Sequence, residues 1–348
     1  MDLLERLAQT PAVAGREHRI RDLIKAETKG LFDDVRTDAL GSLICRRGPL
    51  PPGAAKSKRK PLSVMVATHM DQIGFLVRHV DDKGFLRVNA VGGFDPRNLF
   101  ARLVTVCTEE GDIPGVMNPG GRPTHIASDE ERKKVPEIRD LVIDTGMPAD
   151  KVRKRVRIGD MVVIQAAFAR VGDTVVGQSL DNRVACWIAI RAMQRLKRHA
   201  CEIHCVFTVQ EEVGLRGAGT AAFGIRPDVG VAIDSTLCVD LPGVPEDQRV
   251  SQQGAGAALT VMDSGSIADL DLLNSFEQTA RKKKIKTQRS ILPRGATDAG
   301  TIQRAGEGTR TFTLSCPTRY IHTITEMIHL DDLQACRDLL AAYLEQAK

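Results

Sequence analysis

Residues 62–69, Leu-Ser-Val-Met-Val-Ala-Thr-His, form a continuous apolar run of strand length bounded by polar residues. A strand that is apolar at odd and even positions alike must be covered on both faces, as in a parallel sheet flanked by helices. The rest of the chain agrees with that demand. Three more strand-like segments follow at long intervals, IHCVFTV (203–209), VGVAI (229–233) and RTFTLS (310–315). Helical periodicity lies between and around them. EHRIRDLIKAETKGL places Ile20, Leu23, Ile24 and Leu31 on one face, and DNRVACWIAIRAMQRLKRH does the same with Val184, Trp187, Ile188 and Leu196. In LDDLQACRDLLAAYLEQ the apolar stripe is Leu333, Cys336, Leu340 and Leu344. Strands alternating with helices predict an α/β fold with a mostly parallel central sheet.

Between about 75 and 172 the texture changes. Short β-like pieces, GFLVRHV, GFLRVNAV, ARLVTVCT, LVIDTG and DMVVIQAAF, are separated by glycine, proline and acidic turns, with no long amphipathic helix. The expectation is a discontinuous catalytic domain, 1–74 plus 173–348, interrupted by a small β-rich domain over 75–172. RGPLPPGAAKSKRKP, residues 47–61, reads as an exposed loop.

A length of 348 residues with 42% hydrophobic side chains supports a large core. No run of about 18 apolar residues exists, and Asp2 and Glu5 stand where a secretory signal would be basic and then apolar, so the expected setting is the cytoplasm. Cys45, Cys107, Cys186, Cys201, Cys205, Cys238, Cys316 and Cys336 lie in apolar segments without a CxxC pair, which reads as reduced buried thiols. The local cluster Cys201, His204 and Cys205 fits a strand better than a metal site. A net charge of +5 and 4% aromatics argue against nucleic acid as a partner, since stacking platforms are lacking. The basic runs at 56–60, 151–157 and 281–286 read as solvated faces.

Ionisable residues collect where the core strands end. His69 and Asp71 follow the first run, Glu211 and Glu212 the second, Asp234 the third, and His322 comes soon after the fourth. In open α/β sheets that edge is where ligands bind. Like charges crowded there need cations. His69 and His322 with Asp181, Glu212 and Asp234 make a nitrogen-and-oxygen set suited to zinc, cobalt or manganese. Three carboxylates and a hydroxide balance two divalent ions better than one, and Asp181, near a helix start, can give one oxygen to each. Of the neighbours Glu211 and Glu212, one can bind metal while the other stays free as general base for the bridging water. The residues alone do not say which. Asp71 is placed to orient the His69 ring. His79, His125, His199 and His329 have no ligand partners nearby and read as surface or structural.

Taken together, ATHMDQIGFLV, NAVGGFDPR, LDNRVACW, VQEEVGLRGA, VAIDST, GATDAG and CPTRYIHT resemble the tetrahedral (TET) aminopeptidases, the glutamyl-aminopeptidase and cellulase-M-like family of dinuclear metallopeptidases, nearly end to end. The resemblance implies a zinc-peptidase-like α/β domain with an inserted β-barrel-like dimerisation domain, peptide substrates and dodecameric assembly. It implies metal ligands His69, Asp181, Glu212, Asp234 and His322, with Asp181 bridging, Glu211 as general base and a cis peptide between Asp181 and Asn182. The chain departs from the family's usual pattern at Gln72, Ala296 and Thr323, and the first two bear on substrate fit. Two rivals are kept: a related dinuclear hydrolase, such as a carboxypeptidase or N-acyl amino-acid deacylase, and a glycoside hydrolase. The second needs two facing carboxylates, no metal and an aromatic sugar cleft, whereas this chain has one Trp and two Tyr.

Overall fold

The computed structural model describes residues 1–51 and 60–348. The basic run at 56–60, apart from Lys60, and with it most of the loop over 47–61, lies outside the described residues.

Four strands form the parallel heart of the larger sheet. Glu202–Thr208, Ser63–His69, Val229–Leu237 and Arg310–Arg319 lie side by side in that order. The first apolar run is the second of these, and every residue in it is buried. Its two faces meet different layers. Val64 and Val66 pack into the main core, together with Val184, Ile188 and Leu340, while Met65 and Ala67 pack against Ala218, Ala221 and Ile302. Helices Leu180–Arg195 and Leu330–Gln346 therefore cover one face, and helices Arg216–Ile225 and Ala299–Gln303 cover the other. Each large apolar side chain buried this way contributes about 1.5–3 kcal/mol, which explains the absence of polar alternation in the strand. Antiparallel strands extend the sheet at both margins, Leu43–Arg47 on one side and Glu326–His329 on the other.

Six antiparallel strands close a separate barrel: Gly74–Val80, Leu86–Val91, Arg102–Thr108, Gly111–Pro119, Leu141–Asp144 and Met161–Ile164. Phe75, Val77, Val104, Val106, Ile143 and Val162 fill it. The chain enters the barrel five residues after His69, so the barrel stands beside the rim where the core strands end. The short strand Ala169–Val171 pairs with Thr174–Gly177 in the larger sheet, not in the barrel. Two short helices, Asp129–Lys133 and Ala149–Arg155, accompany the barrel strands. The N-terminal helix Asp2–Gln9 buries Leu3, Leu4 and Leu7.

Candidate metal centre and active site

His69 is the last residue of its strand; the loop that leaves Glu202–Thr208 brings Glu211 and Glu212 to it, and Asp234 lies within the neighbouring strand Val229–Leu237. His69 Nε2 lies 3.4 Å from Asp181 Oδ1, 3.7 Å from Asp234 Oδ1 and 3.8 Å from Glu211 Oε2. The other oxygen of Asp181 faces the second histidine, with Oδ2 at 3.6 Å from His322 Nε2, which is also 3.3 Å from Glu212 Oε2. One carboxylate thus stands between two imidazoles, each with its own further acid. Donor atoms of His69, Asp181 and Asp234, of Asp181, Glu212 and His322, and of His69, Glu211 and Glu212 lie within 4.8 Å of one another. His69, Asp181, Glu211, Glu212, Asp234 and His322 all come together here.

The backbone holds them in demanding conformations. Gln210 and Ser179, next to Glu211 and two before Asp181, have φ of 55° and 57°, and His322 has φ of 64°. Left-handed backbone in non-glycine residues costs on the order of 1–3 kcal/mol each and persists only where its surroundings enforce it. The Asp181–Asn182 peptide is cis. Gly217 lets the helix Arg216–Ile225 press onto the strand end before Glu211, since a Cβ there would sit 2.5 Å from Val209 O. From the barrel side, a Cβ at Gly93 would lie 3.5 Å from His322 Nδ1.

Asp71 is fully buried and does more than face the ring. Its Oδ1 lies 3.5 Å from His69 Nδ1, while Oδ1 and Oδ2 accept hydrogen bonds from the backbone N–H groups of Glu211 and Glu212, each at 3.1 Å. One side chain ties the first ligand strand to the glutamate pair. Two further acids escaped the sequence reading. Glu326 accepts from Asp181 N at 2.9 Å and from His322 N at 2.8 Å, so a single buried carboxylate fixes the backbone on both sides of the cluster. Asp298 accepts from Thr208 Oγ1, at the last residue of its strand, at 2.6 Å. Asp298 stood inside GATDAG, and Glu326 four residues after His322, but neither follows a core strand directly. Gln72 lines the cavity on the barrel side of the cluster while its Oε1 accepts from Arg183 Nη2 at 3.1 Å and from Ala12 N at 3.2 Å.

Crowding shows in the proton affinities. Burial, aided by neighbouring acids, pushes the Glu211 and Glu326 carboxyls well above the usual range and Asp234 to about 7. Burial opposes a charge on His322, yet Glu212 and Asp181 raise it to about 9. Asp181 is driven upward by burial, but its contact with His69 leaves it below the ordinary value. Such a set is unfavourable by itself, because carboxylates this close repel unless protons or cations intervene. His69 Nδ1 and Glu212 Oε1 are also buried without a hydrogen-bond partner. Carboxylate and imidazole donors with unfilled capacity and no lysine or arginine among them fit divalent cations.

Over residues 53–339 the sequence matches the family model described as M42 glutamyl aminopeptidase. The chain belongs to the M42 glutamyl aminopeptidase family. A lysyl aminopeptidase of Pyrococcus furiosus is 33% identical over 357 residues, covering 100% of this chain and 97% of that protein. Among solved structures, the aminopeptidase APDkam598 of Desulfurococcus kamchatkensis superposes with a TM-score of 0.92 at 35% identity, covering 100% of this chain and 94% of that one. The Pyrococcus horikoshii TET1 peptidase, which can assemble into a tetrahedron or a large octahedral shell, gives 0.87 at 32% identity and 99% coverage of both chains. The α/β sheet with its closed barrel is therefore the fold of TET aminopeptidases. As an M42 peptidase the chain is a hydrolase, and the carboxypeptidase, deacylase and glycosidase alternatives are not favoured.

Proposed function

We propose that this M42 aminopeptidase removes the N-terminal residue of peptides with Glu211 as general base, at a centre for two divalent ions, zinc first and cobalt or manganese next. One observation carries this reading: Asp181 turns its two oxygens toward two histidines, each of which has a separate acid, Asp234 or Glu212. His69, Asp181 and Asp234 would hold one ion and Asp181, Glu212 and His322 the other. Ions bound there lower the pKa of water toward neutrality and polarise a carbonyl. Glu211, left free by that division, accepts the proton of the attacking water and carries it to the leaving amine. Asp71 positions Glu211 and Glu212 through their backbone amides. The acidic rim holds the α-ammonium of the peptide and places its first carbonyl against the cluster.

The decisive comparison uses one short peptide in three forms: unblocked, N-acetylated, and amidated at the C-terminus. Mass spectrometry should show stepwise loss from the front of the unblocked and amidated peptides, with the acetylated one inert. Deacylation of the acetylated form, or its trimming from the C-terminal end, would hand the reaction to the rival hydrolases.

We also read the insertion over 75–172 as a dimerisation domain and the working particle as a dodecamer, by analogy with relatives of this fold. Leu103, Val116 and Ile158, exposed on the barrel, suit such a contact. Light scattering at micromolar concentration should report a large assembly, and a monomer would refute it. Eight free buried cysteines suit the reducing cytoplasm.

A further inference from the structure

Two cavities flank the cluster, and they differ in charge. One, toward the barrel, is lined by Ile73, Phe94, Leu99, Ile164 and Ile324 beside Asp181 and Glu212, with no arginine or lysine. The other, of about 570 Å³, has the cluster on one wall and Arg294 and Arg304 in its lining. About half of the other described arginines form ion pairs, as Arg289 does with Glu277 and Arg319 with Asp240. Among the described residues, neither Arg294 nor Arg304 has a carboxylate within ion-pair distance. Arg304 is nonetheless held in place, its Nε donating to Gly300 O at 2.8 Å and leaving the remaining guanidinium donors to the cavity. Arg294 rides on a turn whose next residue, Gly295, has φ of 100°, a conformation that favours glycine.

We infer that the larger cavity binds a carboxylate of the substrate through Arg294 and Arg304, making them specificity-determining residues. This rests on the aminopeptidase reading above and adds the substrate's second charge to it. Acids on one wall and two arginines in the lining complement a ligand with an ammonium at one end and a carboxylate at the other. A guanidinium offers the paired, charged donors that a carboxylate accepts, whereas the barrel-side cavity offers the neutral amides of Asn98 and Gln178 and no arginine or lysine. That carboxylate comes either from the side chain of an acidic N-terminal residue or from the C-terminus of a short peptide.

The test measures kcat/KM of the metal-loaded enzyme for two substrate pairs. Glutamyl- and glutaminyl-anilide differ only in a side-chain charge, and Leu-Gly-Gly and its C-terminal amide differ only in a terminal one. In at least one pair the charged member should be favoured about tenfold to a hundredfold, the range of a charge-assisted hydrogen bond. The double substitution Arg294→Gln with Arg304→Gln should bring that ratio toward one, and thermal melting checks that the variant is folded. A glutamyl preference assigns the side chain, and a preference for the free tripeptide assigns the terminus. Ratios at or below one in both pairs, or a preference the double variant retains, overturn the proposal. If glutaminyl-anilide and the tripeptide amide are still hydrolysed, the aminopeptidase reading survives that result, whereas inertness of all four substrates would fail the reading beneath it.

Discussion

Substituting Glu211 by glutamine is expected to lower kcat by about 100- to 10,000-fold, the usual contribution of a positioned general base. The same protein should keep its full metal content. Glu212→Gln is expected to behave in the opposite order, losing metal first and activity as a consequence. The reason lies in what each side chain faces: Glu212 Oε2 is 3.3 Å from His322 Nε2, inside the donor group that includes Asp181, while Glu211 Oε2 stands 3.8 Å from His69. Their amides share one acceptor, Asp71, so neither substitution need disturb the loop. Elemental analysis after metal loading and dialysis should give close to two ions per chain for the wild type and Glu211→Gln, and fewer for Glu212→Gln. A Glu211→Gln enzyme near wild-type rate, or a saturated content of one in the wild type, would defeat the division of roles.

Removing the guanidinium of Arg183 should be the most damaging single change outside the cluster. Arg183 is wholly buried, with Nη1 donating to Leu7 O at 2.7 Å and Thr10 O at 3.2 Å and Nη2 to Gln72 Oε1 at 3.1 Å. It thereby fastens the end of the N-terminal helix and the loop after His69 to the helix Leu180–Arg195. Burial lowers its pKa to about 10, so it keeps its charge at neutral pH. Arg183→Ala removes the donor to Thr10 O and one of two donors to Leu7 O and to Gln72 Oε1, empties a large volume and takes a positive charge from the neighbourhood of Glu17 and Asp71. The expected loss is about 3–5 kcal/mol. With an unfolding entropy of about 2.1 cal/mol/K per residue, that lowers the melting temperature by roughly 4 to 7 °C. Arg183→Lys, which keeps the charge but not the fork, should fall between. An unchanged melting curve for Arg183→Ala would mean that water satisfies those acceptors.

The strands were legible because burial on both faces writes an unbroken apolar run, and 62–69 and 310–315 match strands at Ser63–His69 and Arg310–Arg319. The rim was legible for the same reason: His69, Glu211, Asp234 and His322 can be counted forward from those runs. Arg183 and Glu326 could not be. A buried arginine and a buried glutamate look like surface residues in a linear chain, and only the folded neighbourhood reveals that Arg183 serves carbonyls and Glu326 serves amides. The short helices beside the barrel strands were missed because Asp129–Lys133 buries no residue at all and Ala149–Arg155 only Val152. The helix Arg216–Ile225 was hidden by its glycines, which lower helix propensity but permit close packing.

The proposed ligands sit at positions 69, 181, 212, 234 and 322, so the ribosome releases the first of them long before the last. Parallel pairing between distant segments forms late, because the intervening chain must be closed into loops first. The strand Arg310–Arg319 completes the parallel core, and His322 follows immediately after it. A nascent chain therefore carries no complete set of these proposed ligands until position 322 has left the ribosome. A cell making this enzyme is spared a half-built peptidase at work among its unfinished proteins.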